Sequence, residues 1–225
     1  MQWHMRLYPP GQLEVLCDCL SAEHWLKQGF RSVALATLIS ILVLTLCCLS
    51  PWGVLIYFTN WNLLVTIYSL WATIRAVEMA KFQGLTASAL AEHHLCFCCS
   101  LFFNLVTLLG YWPMHSYTMK YFRGQPVQQL QQVLIHSLPP LLCLAHYSMT
   151  KTRLCRSLDR VLVGVGCVYM MVNWSATKAQ GQPLYPFLTF RDSYSYCLAL
   201  AMLLAIAPSY HLLCSLDSKL RPIKF

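Results

Sequence analysis

The stretch SVALATLISILVLTLCCLS, residues 32–50, decides the fold. It holds no Asp, Glu, Lys or Arg, and as an α-helix it reaches about 28 Å, close to the thickness of a bilayer's hydrocarbon core. Pro51-Trp52-Gly53 follows and predicts a tight turn. Reading outward, five further runs have the same character: Val54 to Ile74, Leu95 to Pro113, Val127 to Met149, Val161 to Thr177 and Tyr194 to Leu216. The expectation is an all-α, polytopic membrane protein with six transmembrane helices in one bundle. Residues 1–31 form a cytoplasmic tail, 32–216 the membrane domain and 217–225 a second cytoplasmic tail.

Composition agrees. Of the 225 residues, 57% are hydrophobic and only 11% charged, whereas a soluble domain carries about 25% charged residues. The mean hydropathy is +0.51. Six spans of about 20 residues use over half of such a chain, so no soluble catalytic domain is expected. Most of the 12 cysteines lie inside apolar runs, which reads as packing and not as a disulfide framework.

The net charge of +8 is a topology signal. With six spans, 12 of the 16 Lys and Arg fall on the side shared by both tails, Arg31, Arg75, Arg153 and Arg156 among them. The other side holds Lys120, Arg123, Lys178 and Arg191. The positive-inside rule therefore places both termini in the cytoplasm, in the endoplasmic reticulum or the plasma membrane. Residues 1–30 contain Glu14, Asp18 and Glu23 and do not read as a signal peptide. Leu13 to Leu26 reads as an interfacial amphipathic helix, with Cys17 and Cys19 as acylation candidates, or as a loosely ordered tail. A similar short helix is a candidate in the loop Arg75 to His94.

The uncharged spans argue against a proton-coupled carrier. The polar residues inside them therefore draw notice: Thr59, Asn60 and Asn62 in span two, Asn104 in span three, His136 in span four and Asn173 in span five. A neutral imidazole at His136 can act as a general base, and Gln132, one turn earlier, shares its face. Pro139 and Pro140 remove helix hydrogen bonds beside it. By helix rise Thr59 lies about 7 Å and His136 about 13 Å below the non-cytoplasmic surface. A threonine hydroxyl near an imidazole is a candidate nucleophile; the alternative is that Thr59 bonds the carbonyl four residues back. Asn60 or Asn173 is a candidate oxyanion donor. Asn173-Trp174-Ser175 fits a glycosylation pattern but lies against the bilayer, so no glycan is expected. The loop Gly181 to Leu188 carries Tyr185 between Pro183 and Pro186 and reads as a stiff lid.

In their order, Phe58-Thr59-Asn60-Trp61 opening span two, His136 in span four and Gly181-x-x-x-Tyr185-Pro186-Phe187-Leu188 in the fifth loop resemble the androgen-induced-1 family. That family includes the androgen-dependent TFPI-regulating protein and, more distantly, the rolling stone proteins. The resemblance runs from about Val54 to the C-terminus. It implies a membrane-embedded hydrolase of fatty acid esters of hydroxy fatty acids, without a cofactor, in which Thr59 matches the nucleophile and His136 the base. Ser137-Leu138-Pro139-Pro140 after the histidine departs from the vertebrate enzymes, and Thr59-Asn60-Trp61 is nearer the rolling stone branch. That branch implies the alternative of a non-enzymatic multi-pass protein acting in cell adhesion or fusion.

Other patterns carry less. His93-His94-x-Cys96-x-Cys98-Cys99 lacks the ligand spacing of zinc sites, and no metal is expected. Cys96 is a palmitoylation candidate. The basic cluster Lys151 to Arg160 suits anionic head groups and offers no nucleic-acid platform. The expected partners are a lipid substrate drawn from the bilayer and the membrane lipids themselves. Gly164-x-Gly166 permits close helix packing. His146 and His211, near cytoplasmic ends, are assigned no role.

Overall fold

The computed structural model describes residues 25–82, 86–150 and 152–221. Cys17, Cys19 and residues 13–24 of the candidate interfacial helix lie outside them. Among the described residues all regular structure is helical: α1 (Trp25–Cys48), α2 (Pro51–Ile56), α3 (Phe58–Lys81), α4 (Ala87–Tyr111), α5 (His115–Tyr121), α6 (Pro126–Met149), α7 (Asp159–Gln180) and α8 (Ser193–Leu220), with short 3-10 turns at Trp112–Met114 and Arg156–Leu158.

Six long helices thus stand where the six apolar runs stand, and their ends differ for local reasons. Pro51-Trp52-Gly53 is not a bare turn but the start of α2. The Ser50 hydroxyl accepts from Gly53 N at 3.1 Å and its carbonyl from Val54 N at 3.1 Å, which caps the new helix. α3 continues past the expected end at Ile74 to Lys81, and α4 begins at Ala87, well before Leu95. Charge at Arg75 marks an edge of the apolar run and not a helix end. The Arg75 guanidinium lies 5.4 Å from the Trp71 ring centroid, and Thr86 caps α4 by accepting from Ala89 N at 3.2 Å. No separate short helix therefore occupies the described part of the loop from Arg75 to His94.

Four segments are long and apolar enough to cross a membrane: Leu26–Cys48, Phe58–Lys81, Ala87–Tyr121 and Ser193–Leu220. α6 and α7 fall short in hydropathy. The first turns of α6 are rich in glutamine (Gln128, Gln129, Gln131, Gln132), and α7 begins with Asp159-Arg160 and ends near Lys178.

The chain forms two compact units. The first spans Met1–Val54 and Thr59–Thr152. Its apolar core joins Ala34, Leu38 and Ile41 of α1 to Leu63 and Leu70 of α3 and Ile135 of α6. The second spans Leu55–Phe58 and Arg153–Phe225. There Gly166 of α7 lets Ile206 and Leu203 of α8 lie against the helix backbone, whereas Gly164 faces open space. One end of this unit is tied by the buried carboxylate of Asp217, which accepts from Leu154 N at 3.0 Å and pairs with Arg221 at 2.7 Å. The loop between α7 and α8 starts from Gly181, left-handed at φ 67°, and folds inward. Leu188 and Phe190 are buried in it, and Asp192 caps α8 through Ser195 N at 2.8 Å.

Candidate active site

In a bilayer, apolar side chains gain little by leaving lipid for protein, so polar contacts decide how helices fit together. Threonines mostly spend their hydroxyls within their own helix. Thr37, Thr45, Thr66, Thr73 and Thr118 all donate to the carbonyl four residues back, at 2.7 to 3.2 Å. Thr59 does not. It is the second residue of α3, and the position four before it lies across the break from α2. Its hydroxyl instead meets His136 Nε2 at 3.0 Å.

The histidine's tautomer follows from its other nitrogen. His136 Nδ1 stands 2.7 Å from the Gln132 carbonyl oxygen. A carbonyl only accepts, so Nδ1 carries the hydrogen and Nε2 presents a lone pair to Thr59. Thr59 Oγ1 is therefore the donor. Both residues are half-buried. Pro139 and Pro140 stand inside α6 and deprive the Ile135 and His136 carbonyls of their usual helix donors.

The ring has a third restraint that the sequence reading missed. The Tyr111 ring stacks on the His136 imidazole, centroids 3.9 Å apart and planes 11° from parallel. The Tyr111 hydroxyl in turn meets His115 Nδ1 at 3.0 Å.

The remaining sequence candidates have other occupations. Gln132 orients the imidazole through its backbone carbonyl; its side-chain amide donates to Gln131 Oε1 at 2.8 Å. Asn60 is buried and its Nδ2 reaches the Gly53 carbonyl at 3.4 Å. Asn173 lies within α7 in the second unit and is fully buried. Its Oδ1 accepts from Thr177 at 3.3 Å, and its Nδ2 has no partner among the described residues. Tyr185, also in the second unit, lies 3.0 Å from Tyr169, hydroxyl to hydroxyl. Tyr169 donates to the Ile56 carbonyl at 3.1 Å and accepts from Phe58 N at 2.9 Å, so Tyr185 donates to Tyr169. Burial pushes the Tyr185 phenol above its ordinary range, which keeps it a neutral donor. Asp192 is committed to capping α8.

Below the pair, the first unit carries a seam of polar groups. On α3, Thr59, Asn62, Thr66, Ser69 and Thr73 recur every three and four residues, and the last four are buried. On α4, Tyr111, Thr107, Asn104 and Ser100 follow the same spacing, and His93 lies two turns further on. Asn62 donates to Asn104 Oδ1 at 3.0 Å, Asn104 to Thr66 Oγ1 at 2.8 Å, and Ser100 to Thr66 Oγ1 at 3.1 Å. Spacing of three and four on one helix was the signal available in the sequence.

At its far end the seam meets a basic cluster. Arg31 is not a flanking charge on a tail; it is a fully buried residue of α1, and its Nε donates to His146 Nε2 at 3.1 Å. His146, assigned no role from sequence, is buried too. A second threonine–histidine contact, Thr73 to His93 Nδ1 at 3.0 Å, lies nearby. It is not a second nucleophile pair, because Thr73 gives its only hydrogen to the Ser69 carbonyl at 2.7 Å. Among the described residues no three His, Cys, Asp or Glu side chains gather as a metal site.

No protein-family model, no curated protein and no solved structure matches the chain, so the site's own geometry carries its reading.

Proposed function

We propose that this chain is a membrane-embedded lipid ester hydrolase of the androgen-induced-1 type, with Thr59 as nucleophile and His136 as general base. The observation that carries this reading is the 3.0 Å contact between a threonine hydroxyl with no back-bond and a histidine nitrogen whose lone pair the Gln132 carbonyl directs toward it. The substrate class is fatty acid esters of hydroxy fatty acids, drawn laterally from the bilayer. All six long helices span the membrane in this reading, and both termini face the cytoplasm.

In the mechanism, Thr59 Oγ1 attacks the ester carbonyl as His136 Nε2 takes its proton. The N–H groups of Thr59 and Asn60, in the first turn of α3, have no carbonyl partner within that helix. They are the donors for the oxyanion, a role the Asn60 side chain leaves to the backbone by engaging Gly53. His136 then protonates the departing hydroxy fatty acid. The acyl-threonine is hydrolysed by water.

The test is hydrolysis of the palmitate ester of hydroxystearate by membranes containing the chain, beside Thr59→Ala and His136→Ala at matched expression. Loss of activity in both supports the reading. Activity that survives in either refutes the mechanism. A non-enzymatic protein of rolling stone type is the second reading, favoured by the close packing of His136 on Tyr111. It predicts no hydrolysis by the native chain across several lipid esters.

A further inference from the structure

Hydrolysis in a bilayer raises a question that a soluble enzyme does not face: where the water waits. The side-chain amide of Asn62 bears on it. Asn62 lies one turn after Thr59 on the same face of α3, about 4.5 Å further along the axis by helix rise. Its amide nitrogen donates to Asn104 Oδ1 at 3.0 Å and to Thr107 Oγ1 at 3.3 Å, which uses both hydrogens. The orientation is not interchangeable. Asn104 Nδ2 is held by Thr66 Oγ1 and by the Ser100 carbonyl, both at 2.8 Å, so its Oδ1 faces Asn62, and turning the Asn62 amide over sets oxygen against oxygen.

Asn62 Oδ1 is left as a buried acceptor with no partner among the described residues, on a side chain only 2% exposed. Buried polar atoms in folded proteins are paired with protein or with water. A group that offers only a lone pair, one turn along α3 from the threonine that meets His136, suits a ligand that is small and donates a hydrogen.

Resting on the hydrolase reading above, we propose that Asn62 Oδ1 holds the water that attacks acyl-Thr59. Once the hydroxy fatty acid has left, His136 Nε2 is again a free base. The water gives one hydrogen bond to His136 Nε2 and the other to Asn62 Oδ1. Its oxygen adds to the acyl carbonyl as the first proton passes to Nε2. The carbon–Oγ1 bond then breaks, the fatty acid leaves, and His136 returns the proton to Thr59. Asn62 thus serves deacylation and not acylation.

The experiment uses the full chain in lipid nanodiscs with p-nitrophenyl palmitate, rapid mixing for the first turnover, and mass spectrometry of the Thr59 peptide. Asn62→Ala removes the acceptor and leaves room; Asn62→Leu fills the space. In whichever folds, the first-turnover burst persists and steady turnover falls about tenfold or more, the loss of one good hydrogen bond. Palmitoyl-Thr59 accumulates, and hydroxylamine, which needs no held water, restores turnover. Burst and steady rate falling together, or neither changing, overturns the assignment to Asn62. A native chain that never carries palmitate on Thr59 overturns the hydrolase reading itself, and is told apart because the adduct is then missing from every variant.

Discussion

Replacing Tyr111 by leucine separates what orients His136 from what His136 does. The stack at 3.9 Å and 11° is nearly face to face, and Tyr111 is itself buried. An aromatic pair contributes about 0.5–1.5 kcal/mol beyond its buried area. If all of that goes into holding the ring, its loss slows the chemical step by about 2-fold to 13-fold, since each 1.36 kcal/mol is about tenfold. The Gln132 and Thr59 hydrogen bonds remain, so the ring is loosened and not lost. Removing the base altogether, as in His136→Ala, costs about 100-fold to 10,000-fold. Tyr111→Phe keeps the ring and drops only the hydroxyl contact with His115, so it stays within about twofold of native. The assay is kcat and KM for hydrolysis of a lipid ester by the full chain in nanodiscs, with thermal unfolding followed by circular dichroism to match stability. The expected change is in kcat with KM held. A stably folded Tyr111→Leu protein as inactive as His136→Ala refutes the reasoning. So does Tyr111→Phe falling as far as Tyr111→Leu.

Two further perturbations test the packing of the second unit. Gly166→Val forces a branched side chain against Ile206 and Leu203, and we expect a loss of about 1–3 kcal/mol, read as a lower unfolding temperature, with Gly164→Ala near neutral as its control. Asp217→Ala leaves Leu154 N without its acceptor and Arg221 without its pair; we expect about 2–3 kcal/mol of destabilisation, measured by protease susceptibility of the segment Thr152 to Leu158, and an unchanged pattern would disprove that anchor.

The positions of the long helices were legible because apolar runs and helix geometry report the same thing. Their ends were less so. Charge locates the edge of an apolar run, whereas capping locates the end of a helix, which is why α3 passes Arg75 and α4 waits for Thr86. Thr59 and His136 were visible as polar residues in the same half of the membrane, about 6 Å apart in depth by helix rise, but their contact depends on the direction of two helices. The Gln132 restraint came from the backbone, where residue type carries no signal. Tyr111 was hidden by its ordinary character as an aromatic near a helix end. Arg31 was misplaced because a count of charges by side treats each as solvated, while this one is enclosed by His146 and Gln28.

The three-and-four spacing of polar residues on α3 also restricts how this gene can change length. Each inserted residue turns everything beyond it by about 100° about the helix axis. A single codon gained between Asn62 and Thr66 swings Thr66, Ser69 and Thr73 out of line with Asn104, Ser100 and His93, and turns Val65, Tyr68 and Ala72 into their place. Seven added together bring the stripe back to within about 20° of its line. Length variation in this helix is therefore confined to steps close to a whole number of turns, such as about 7, 11 or 18 residues, or to its ends, and an alignment gap that rotates the stripe well away from its line signals a chain whose seam has been lost.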